Sequence, residues 1–376
     1  MKTKAREGYY GIILKLPRFV RRTLARTIYT YSKFQLKRLK TPQNLIFFVT
    51  DRCNLNCSHC FYAKHLNRKT QEMSLDQIEK IIRSLKNRLT SIVLTGGETY
   101  LRGDLVEVCK LFDKINHTKK ITLATNGTLP DLIYNKTKEI LDNTNLDIAV
   151  QVSLDGLKET HDKIRGVKGT FDRVIETVKK LKTLNNYKNF SLSLSTTVCK
   201  ENYNEIEDLI KFVQDNLKVF HGLQFVRDSH KHSYNIDKNI LSDFTASNTL
   251  SLQQMKEMNK KLEKLTSGMS SPLLLKVTNI FDDNAISILE NKKRLMDCLA
   301  GKVDGVVFTN GDVSFCEFTK PFANLKEFDY NFYKLWTSEK ANIMRSKLTN
   351  CVCIHPCNMI NSMRYDLKSI RKIFNC

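Results

Sequence analysis

The chain has no uncharged apolar run of about 20 residues, which excludes an ordinary transmembrane helix. A secretory leader is missing too. The short apolar stretch in MKTKAREGYYGIILKLPRFVRR is broken by Lys15 and Arg18, and no small-residue cleavage site accompanies it. These absences make a reducing, cytoplasmic setting the expectation for the eleven cysteines, so clustered thiols read as ligands of metals or redox cofactors rather than as disulfides. Acids are scarcest at the start: residues 1–40 hold twelve Lys or Arg against Glu7 alone, a net of +11 within a formal total of +22. Charge concentrated in this way is a signature for a polyanion, either nucleic acid or an anionic membrane surface. With 376 residues, 41% hydrophobic and 27% charged, the chain can bury a substantial core and reads as one large domain with one or two smaller attachments.

Also absent is a fourth cysteine beside the first group. The stretch Asp51–Tyr62, DRCNLNCSHCFY, sets Cys53, Cys57 and Cys60 in a C-x3-C-x2-C spacing just past the apolar, β-prone run Leu45–Val49. A disulfide between any two would close a very small loop and strand the third. Three soft thiolates on a short turn can instead converge on one iron–sulfur cluster. A [4Fe–4S] cluster normally takes four cysteines, so three leave one iron open. Structural zinc is the competing reading, but it wants four ligands in paired spacings, and His59, between the cysteines, has no matching partner nearby.

From Pro17 to about Lys40 the pattern predicts a helix, with Val20, Leu24, Ile28 and Tyr31 at helical spacing and Phe19 and Phe34 flanking them. Arg18, Arg21, Arg22, Arg26, Lys33, Lys37 and Arg38 take other positions. Two readings stand side by side: in-plane binding to an anionic bilayer surface, or packing of the apolar stripe on the domain behind it with the charges solvated. Nucleic acid ranks below both, because no recognised nucleic-acid module accompanies the basic run.

After Pro42, strands are expected at Asn44–Thr50, Ser91–Thr95, Lys120–Thr125, Leu146–Leu154, Phe190–Val198 and Phe220–Arg227, alternating with helices near 74–89, 103–115, 131–143, 170–185 and 202–217. Strict alternation implies an α/β fold with a parallel sheet, open or curled into a partial barrel. Ligands of such sheets gather at the carboxyl ends of the strands. Those ends read Thr95-Gly96-Gly97-Glu98, Asn126-Gly127 and Ser153-Leu154-Asp155-Gly156. Residues 228–250 are polar and read as a loop or lid, with His230 and His232 as solvated loop histidines. Residues 251–266 read as an amphipathic helix in which Met255 and Met258 pack. Then Cys298, Val306–Phe308, Asn310-Gly311 and Val313–Cys316 form a hairpin pattern that brings Cys298 and Cys316 toward one another. A helix near 332–348 follows, and after it Cys351-Val-Cys353-Ile-His355-Pro-Cys357. Cys109, in a helix, and Cys199, at a strand end, read as small core residues, and the terminal Cys376 as a bystander.

The order C-x3-C-x2-C, GGE, TNG, SLDG, each after a successive strand, resembles the radical S-adenosylmethionine (radical SAM) enzymes over about residues 44–376. HDKIRGVKGTFDRV, residues 161–174, is similar to the branch with a C-terminal SPASM or twitch extension. The resemblance implies a partial (β/α)6 TIM-like barrel with a small C-terminal α+β twitch/SPASM-like domain. Its divisions would be a basic amphipathic helix at 1–43, the barrel at 44–250, a helical linker at 251–297 and the auxiliary-cluster domain at 298–376. It also implies a [4Fe–4S] cluster on Cys53, Cys57 and Cys60 whose open iron is chelated by SAM. Gly96, Gly97 and Glu98 would lie along the SAM amino group, Asn126, Ser153 and Asp155 near its ribose and carboxylate, Arg165 on the carboxylate, and Tyr62 beside the adenine. His59 and Thr99 depart from the residues the family commonly carries at those places.

By the same resemblance, the second cysteine field carries one auxiliary [4Fe–4S] cluster on Cys298, Cys316, Cys353 and Cys357, with Cys351 in reserve and His355 as a supporting or structural residue. Structural zinc competes for this field as well. The implied partners are a one-electron reductant of flavodoxin or ferredoxin type and a substrate losing a hydrogen atom. The 43 residues before the first strand are too few for the winged-helix leader-peptide domain of many peptide maturases. With the basic helix, this tilts the expected substrate toward a small molecule, a sugar or a lipid-linked intermediate, with a peptide-modifying maturase as the alternative. A noncatalytic iron–sulfur or zinc-binding, membrane-associated module is the reading from a different class.

Overall fold

The computed structural model describes residues 2–68, 71–266 and 272–376. Two helices, α1 (Lys2–Lys15) and α2 (Arg18–Arg38), precede the first strand, β1 (Asn44–Thr50). The chain then alternates through α3 (Leu75–Ser84), β2 (Ser91–Gly96), α4 (Leu105–Asn116), β3 (Lys120–Thr125), α5 (Pro130–Asn143), β4 (Asp147–Ser153), α6 (Lys158–Arg165), α7 (Thr170–Lys182), β5 (Phe190–Val198), α8 (Ile206–Phe212) and β6 (Phe220–Phe225). β1 to β6 pair in parallel with their sequence neighbours, as strands separated by helices must when each crossover returns to the same edge. The α/β class and the six expected barrel strands are therefore present, as a sheet open at β6.

Period-2 alternation gives the sheet two chemically different faces. Leu94, Leu123, Val150, Val152 and Leu194 are fully buried in the main core with helix residues such as Ile78, Phe112, Ile140 and Val178. Their neighbours Thr95, Gln151, Ser153, Ser195 and Thr197 line a cavity on the concave side. Local signals fix the helices: Ser74 opens α3 through a capping box with Gln77, and the apolar residues Ile78, Ile81 and Ile82 then point inward.

The rest of the chain comprises β7 (Ser233–Tyr234), α9 (Leu252–Thr266), α10 (Pro272–Asn291), β8 (Asp304–Val307), β9 (Asp312–Ser314), β10 (Ala323–Asn324), α11 (Phe332–Trp336), α12 (Glu339–Lys347), β11 (Val352–Cys353), α13 (Pro356–Met363) and α14 (Leu367–Ile373). The expected C-terminal hairpin exists, with Gly311 at φ +89° in its turn. It is not set apart from the barrel: β8 pairs in parallel with β1, so β8, β9 and β10 extend the barrel sheet to nine strands. The helix expected near 332–348 is two helices, because Ser338 breaks the run and caps α12 by accepting from Ala341 N. In the segment expected as a helical linker, residues 267–271 lie outside the described residues.

Residues 228–250 depart from the solvated loop expected of them. β7 pairs with β11, and Asp228, Ser229, His232 and Ser233 are buried. The His232 Nδ1 accepts from Asp228 N at 3.2 Å, and burial pushes its pKa down to about 4. His230 lies outside this buried group. The polar sequence concealed the burial because its polar groups bond to one another and to backbone rather than to water.

At the N-terminus, Ala25 packs with Tyr10, Ile370 and Phe374, and Leu36 packs with Leu299 and Val303. Two hydrogen bonds hold the arrangement: Tyr10 OH donates to Ile373 O at 2.9 Å, and Arg21 Nη1 donates to Phe374 O at 2.8 Å. Cys376 lies against this cluster. No helix among the described residues is long and apolar enough to cross a membrane.

Candidate active site

The cysteine loop leaves β1 and is gripped on both sides by backbone. On one side Gly97 N donates to Thr50 O at 2.8 Å and Glu98 N to Arg52 O at 2.7 Å. Side chains cannot fit there: a Cβ on Gly96 would meet Thr50 O at 2.1 Å, and one on Gly97 would meet Arg52 O at 2.1 Å. On the other side Asn56 N donates to Arg165 O at 3.3 Å and Ser58 N to Ile164 O at 2.9 Å, while a Cβ on Gly166 would lie 2.5 Å from Asn56 O. Asn67 brackets Cys53 by accepting from its N–H (2.9 Å) and donating to its carbonyl (3.0 Å). The two motifs at the ends of β2 and α6 thus shape the loop that presents Cys53, Cys57 and Cys60.

All three thiols line the concave cavity, about 1470 Å³ with its mouth included. Burial pushes Cys60 up to about 11 and also raises Cys53, so thiolates here require a compensating cation. Iron would supply that compensation, and three sulfurs on one loop fit a cluster with one iron left open.

The expected SAM-contacting residues divide into two groups. Gly96, Gly97, Asn126, Ser153 and Arg165 line the cavity with the cysteines. Glu98 does not: it is fully buried, and its carboxylate accepts from Thr125 Oγ1 (2.8 Å), Asn126 N (2.7 Å) and Tyr100 N (3.1 Å), tying the ends of β2 and β3 together. Asp155 is also enclosed. Burial opposes its charge, but the Arg165 guanidinium, 2.5 Å away, together with His59, His161 and the Thr197 N–H outweighs this and holds the carboxyl below its usual range. Arg165 Nη1 also donates to Cys57 Sγ at 3.6 Å, and His59 Nε2 lies 3.4 Å from Asp155. Asp155 therefore orients Arg165 and His59 behind the loop.

Tyr62 faces away from this cavity. Its hydroxyl donates to Asp51 at 2.7 Å, and its ring packs with Phe48, His65 and Phe308 on the wall of a separate pocket. Phe61 is the aromatic of the loop that lines the barrel cavity. A turn of this kind sends neighbouring side chains to opposite sides, which sequence spacing alone does not resolve.

The second cysteine field reaches this cavity through Cys357, while Cys298, Cys351 and Cys353 line a separate, smaller pocket. Cys298, Cys316 and Cys353 lie within electrostatic reach of one another, and Cys351 hydrogen-bonds to Cys353. Burial pushes Cys298 up to about 12 and raises Cys316 well above the usual thiol value, and the Cys351 hydrogen bond together with burial does the same for Cys353. Cys357, likewise pushed up to about 12 by burial, lines the cavity and groups with Glu317 and His355, their ligating atoms all within 4.8 Å of one another. His355 is completely buried and held below the usual imidazole value, so the neutral ring donates from Nε2 to Glu317 at 2.7 Å. These buried sulfurs, like the first three, fit a cationic iron–sulfur cluster.

Sequence reasoning missed Gln151, Ser195, Gln224, Arg227 and Glu317 as cavity residues. Applying the strand-end rule to β6 as well as to the earlier strands finds Arg227, whereas Gln151, Ser195 and Gln224 lie within β4, β5 and β6 and carry no such signal. Glu317 has only its position next to Cys316 as a signal. Cys109 and Cys199 are buried as expected, and Cys199 Sγ donates to Glu201 at 3.1 Å.

The family model of the radical SAM superfamily matches residues 47–213. Over 172 residues, 45% of this chain and 50% of the relative, the sequence is 33% identical to a GTP 3′,8-cyclase of Clostridium perfringens. Over 180 residues, 46% of this chain and 37% of the relative, it is 33% identical to the antilisterial bacteriocin subtilosin biosynthesis protein AlbA of Bacillus subtilis. The chain thus spans half or less of the length of these relatives. In three dimensions it is similar to Streptococcus suis SuiB, solved bound to its precursor peptide SuiA, with a TM-score of 0.59, 19% identity and coverage of 89% of this chain and 75% of that one.

Proposed function

We infer, from the radical SAM family match over residues 47–213, that this chain is a radical SAM enzyme which cleaves SAM reductively and oxidises a polar substrate held beside two cysteine fields. When bound, the reduced [4Fe–4S] cluster supplies one electron to the SAM sulfonium, whose S–C5′ bond breaks to methionine and a 5′-deoxyadenosyl radical that removes a hydrogen atom from substrate.

The protein's own residues position and enclose. Cys53, Cys57 and Cys60 hold the cluster. Gly96 and Gly97 line the cavity beside the three thiols, where the SAM amino group would lie, and Arg165, fixed by Asp155, offers donors to its carboxylate. Asn126 and Ser153 stand at the same rim. Cys298, Cys316 and Cys353, with Cys351 or Cys357, would hold an auxiliary cluster, which would supply a one-electron acceptor for the oxidation. A one-electron reductant of flavodoxin or ferredoxin type completes the cycle.

The observation that carries this reading is the single cavity into which both the Cys53–Cys60 loop and Cys357 open. Gln151, Ser195, Gln224, Arg227 and Glu317 give its inner surface a dense set of donors and acceptors, which favours a small, polar, sugar-like or lipid-linked headgroup. A peptide substrate is the second reading, favoured by the peptide named with the similar SuiB fold.

Anaerobic reconstitution tests the proposal. About eight irons per chain are expected, together with 5′-deoxyadenosine that forms only when dithionite and SAM are both present. Bound zinc without SAM cleavage would overturn it.

A further inference from the structure

The apolar stripe that packs α2 on the body of the protein is not the only apolar feature of that helix. Ala25 and Leu36 are buried on the inner side, yet Phe19, Tyr31 and Phe34 remain 72%, 63% and 52% exposed on the outer side, with Ile28 at the boundary, 39% exposed. Even the threonines there turn their polar atoms inward: Thr23 Oγ1 donates to Phe19 O and Thr27 Oγ1 to Thr23 O, each at 3.1 Å. Among these apolar groups stand the exposed cations Arg22, Arg26, Lys37 and Arg38, and the Arg38 guanidinium lies 5.2 Å from the centre of the Phe34 ring. The 21 residues of α2 include no acid to neutralise them. α1 adds Tyr9 and Ile12, 68% and 60% exposed.

We propose that the outer face of α2 is a docking surface for an anionic lipid bilayer, with Phe19, Tyr31 and Phe34 entering the interface and Arg22, Arg26, Lys37 and Arg38 pairing with lipid phosphates. The chemistry is complementary on both counts. Aromatic rings settle at the boundary between headgroups and acyl chains, and long cationic side chains reach from there to phosphate. A bilayer is favoured over a soluble polyanion because a helix backed along its inner side by the protein presents a face rather than a groove, and three rings spread along that face gain nothing from a purely ionic partner. A second copy of the chain is disfavoured by the same cations, which would meet their own kind across a two-fold axis. Docking of this kind is independent of the reaction inside the barrel.

Vesicle flotation of the full chain tests it, using phosphatidylcholine alone and phosphatidylcholine containing phosphatidylglycerol. The protein should float with the anionic vesicles only. The triple variant Phe19→Ser, Tyr31→Ser, Phe34→Ser and the quadruple variant Arg22→Gln, Arg26→Gln, Lys37→Gln, Arg38→Gln should each bind at least about tenfold more weakly. All seven side chains point away from the fold, so circular dichroism and iron content should match the parent chain and separate lost docking from lost folding. No flotation with anionic vesicles, or flotation undiminished in either variant, would overturn the proposal. So would heparin retention insensitive to the aromatic changes without flotation, or a dimer abolished by them without flotation, each of which would assign the face to another partner.

Discussion

Asp282, on α10, shows how far burial governs single side chains in this protein. Burial first, and then the nearby Asp283 and Glu263, push its pKa up to about 8. An ordinary carboxyl in the unfolded chain ionises near 4, so between about pH 4 and pH 8 folding takes up a proton and stability falls as pH rises; above pH 8 the folded group is ionised too and the penalty is constant. Asp282→Asn removes that penalty. Its stability at pH 8.5 should exceed that of the parent by on the order of 1 kcal/mol or more, with little difference at pH 4. Thermal unfolding at the two pH values measures this, and an equal effect at both would mean that the carboxyl is not held protonated. Asp155 is the opposite case: it is as deeply buried, but Arg165 with His59, His161 and the Thr197 N–H keeps its carboxyl below the usual range. Burial alone therefore does not decide a carboxylate's state, and the partner has to be found.

Partners of this kind explain what the sequence disclosed at the level of elements. The alternation of β-branched runs with amphipathic helices is local, so six strands and the helices between them are legible from residue order alone. The motif positions after β1 to β4 follow from that alternation. What was not legible depends on contacts distant in sequence. Val352 pairs with Tyr234 across the chain, which buries a segment that reads as solvated loop. The β8 strand pairs with β1, more than 250 residues away in sequence, and so joins the C-terminal hairpin to the barrel sheet. On α2, Leu24, Ile28 and Tyr31 share a helical pattern, but the packed side centres on Ala25 and Leu36, and an alanine carries little hydrophobic signal. The Gly-Gly pair after β2 reads as room for a ligand, and the structure adds that it is room for the cysteine loop. Gly97→Ala should accordingly distort that loop. With the added methyl 2.1 Å from Arg52 O, the backbones must part, at a cost of several kcal/mol. The expected outcome is roughly half the parent's iron, lost from the Cys53–Cys60 site and kept at the C-terminal one. Iron assay and Mössbauer spectroscopy of the reconstituted protein report it, and full occupancy of both sites would refute the structural role.

At the scale of the whole molecule, the sheet joins the two cysteine fields. The first leaves the end of β1, and the second includes Cys316, just past β9, which is linked to β1 through β8 alone. Through β8 and β9 the nine-stranded sheet ties the Cys316 end of the second field to the strand that carries the first. This matters if one site starts a radical and the other receives an electron, because substrate then has to meet both without either moving. The two sites should fail differently. Cys57→Ala removes a proposed cluster ligand and the sulfur that accepts from Arg165, so 5′-deoxyadenosine formation should drop at least about a hundredfold. Cys316→Ala leaves the Cys53–Cys60 loop and its backbone clasps untouched, so SAM cleavage should persist while substrate-derived product is lost. The ratio of 5′-deoxyadenosine to product, near one in the parent chain if the reaction is coupled, should rise at least about tenfold in Cys316→Ala. Parallel loss of both products in the two variants would mean that the C-terminal field supports the fold of the first site instead of completing the oxidation.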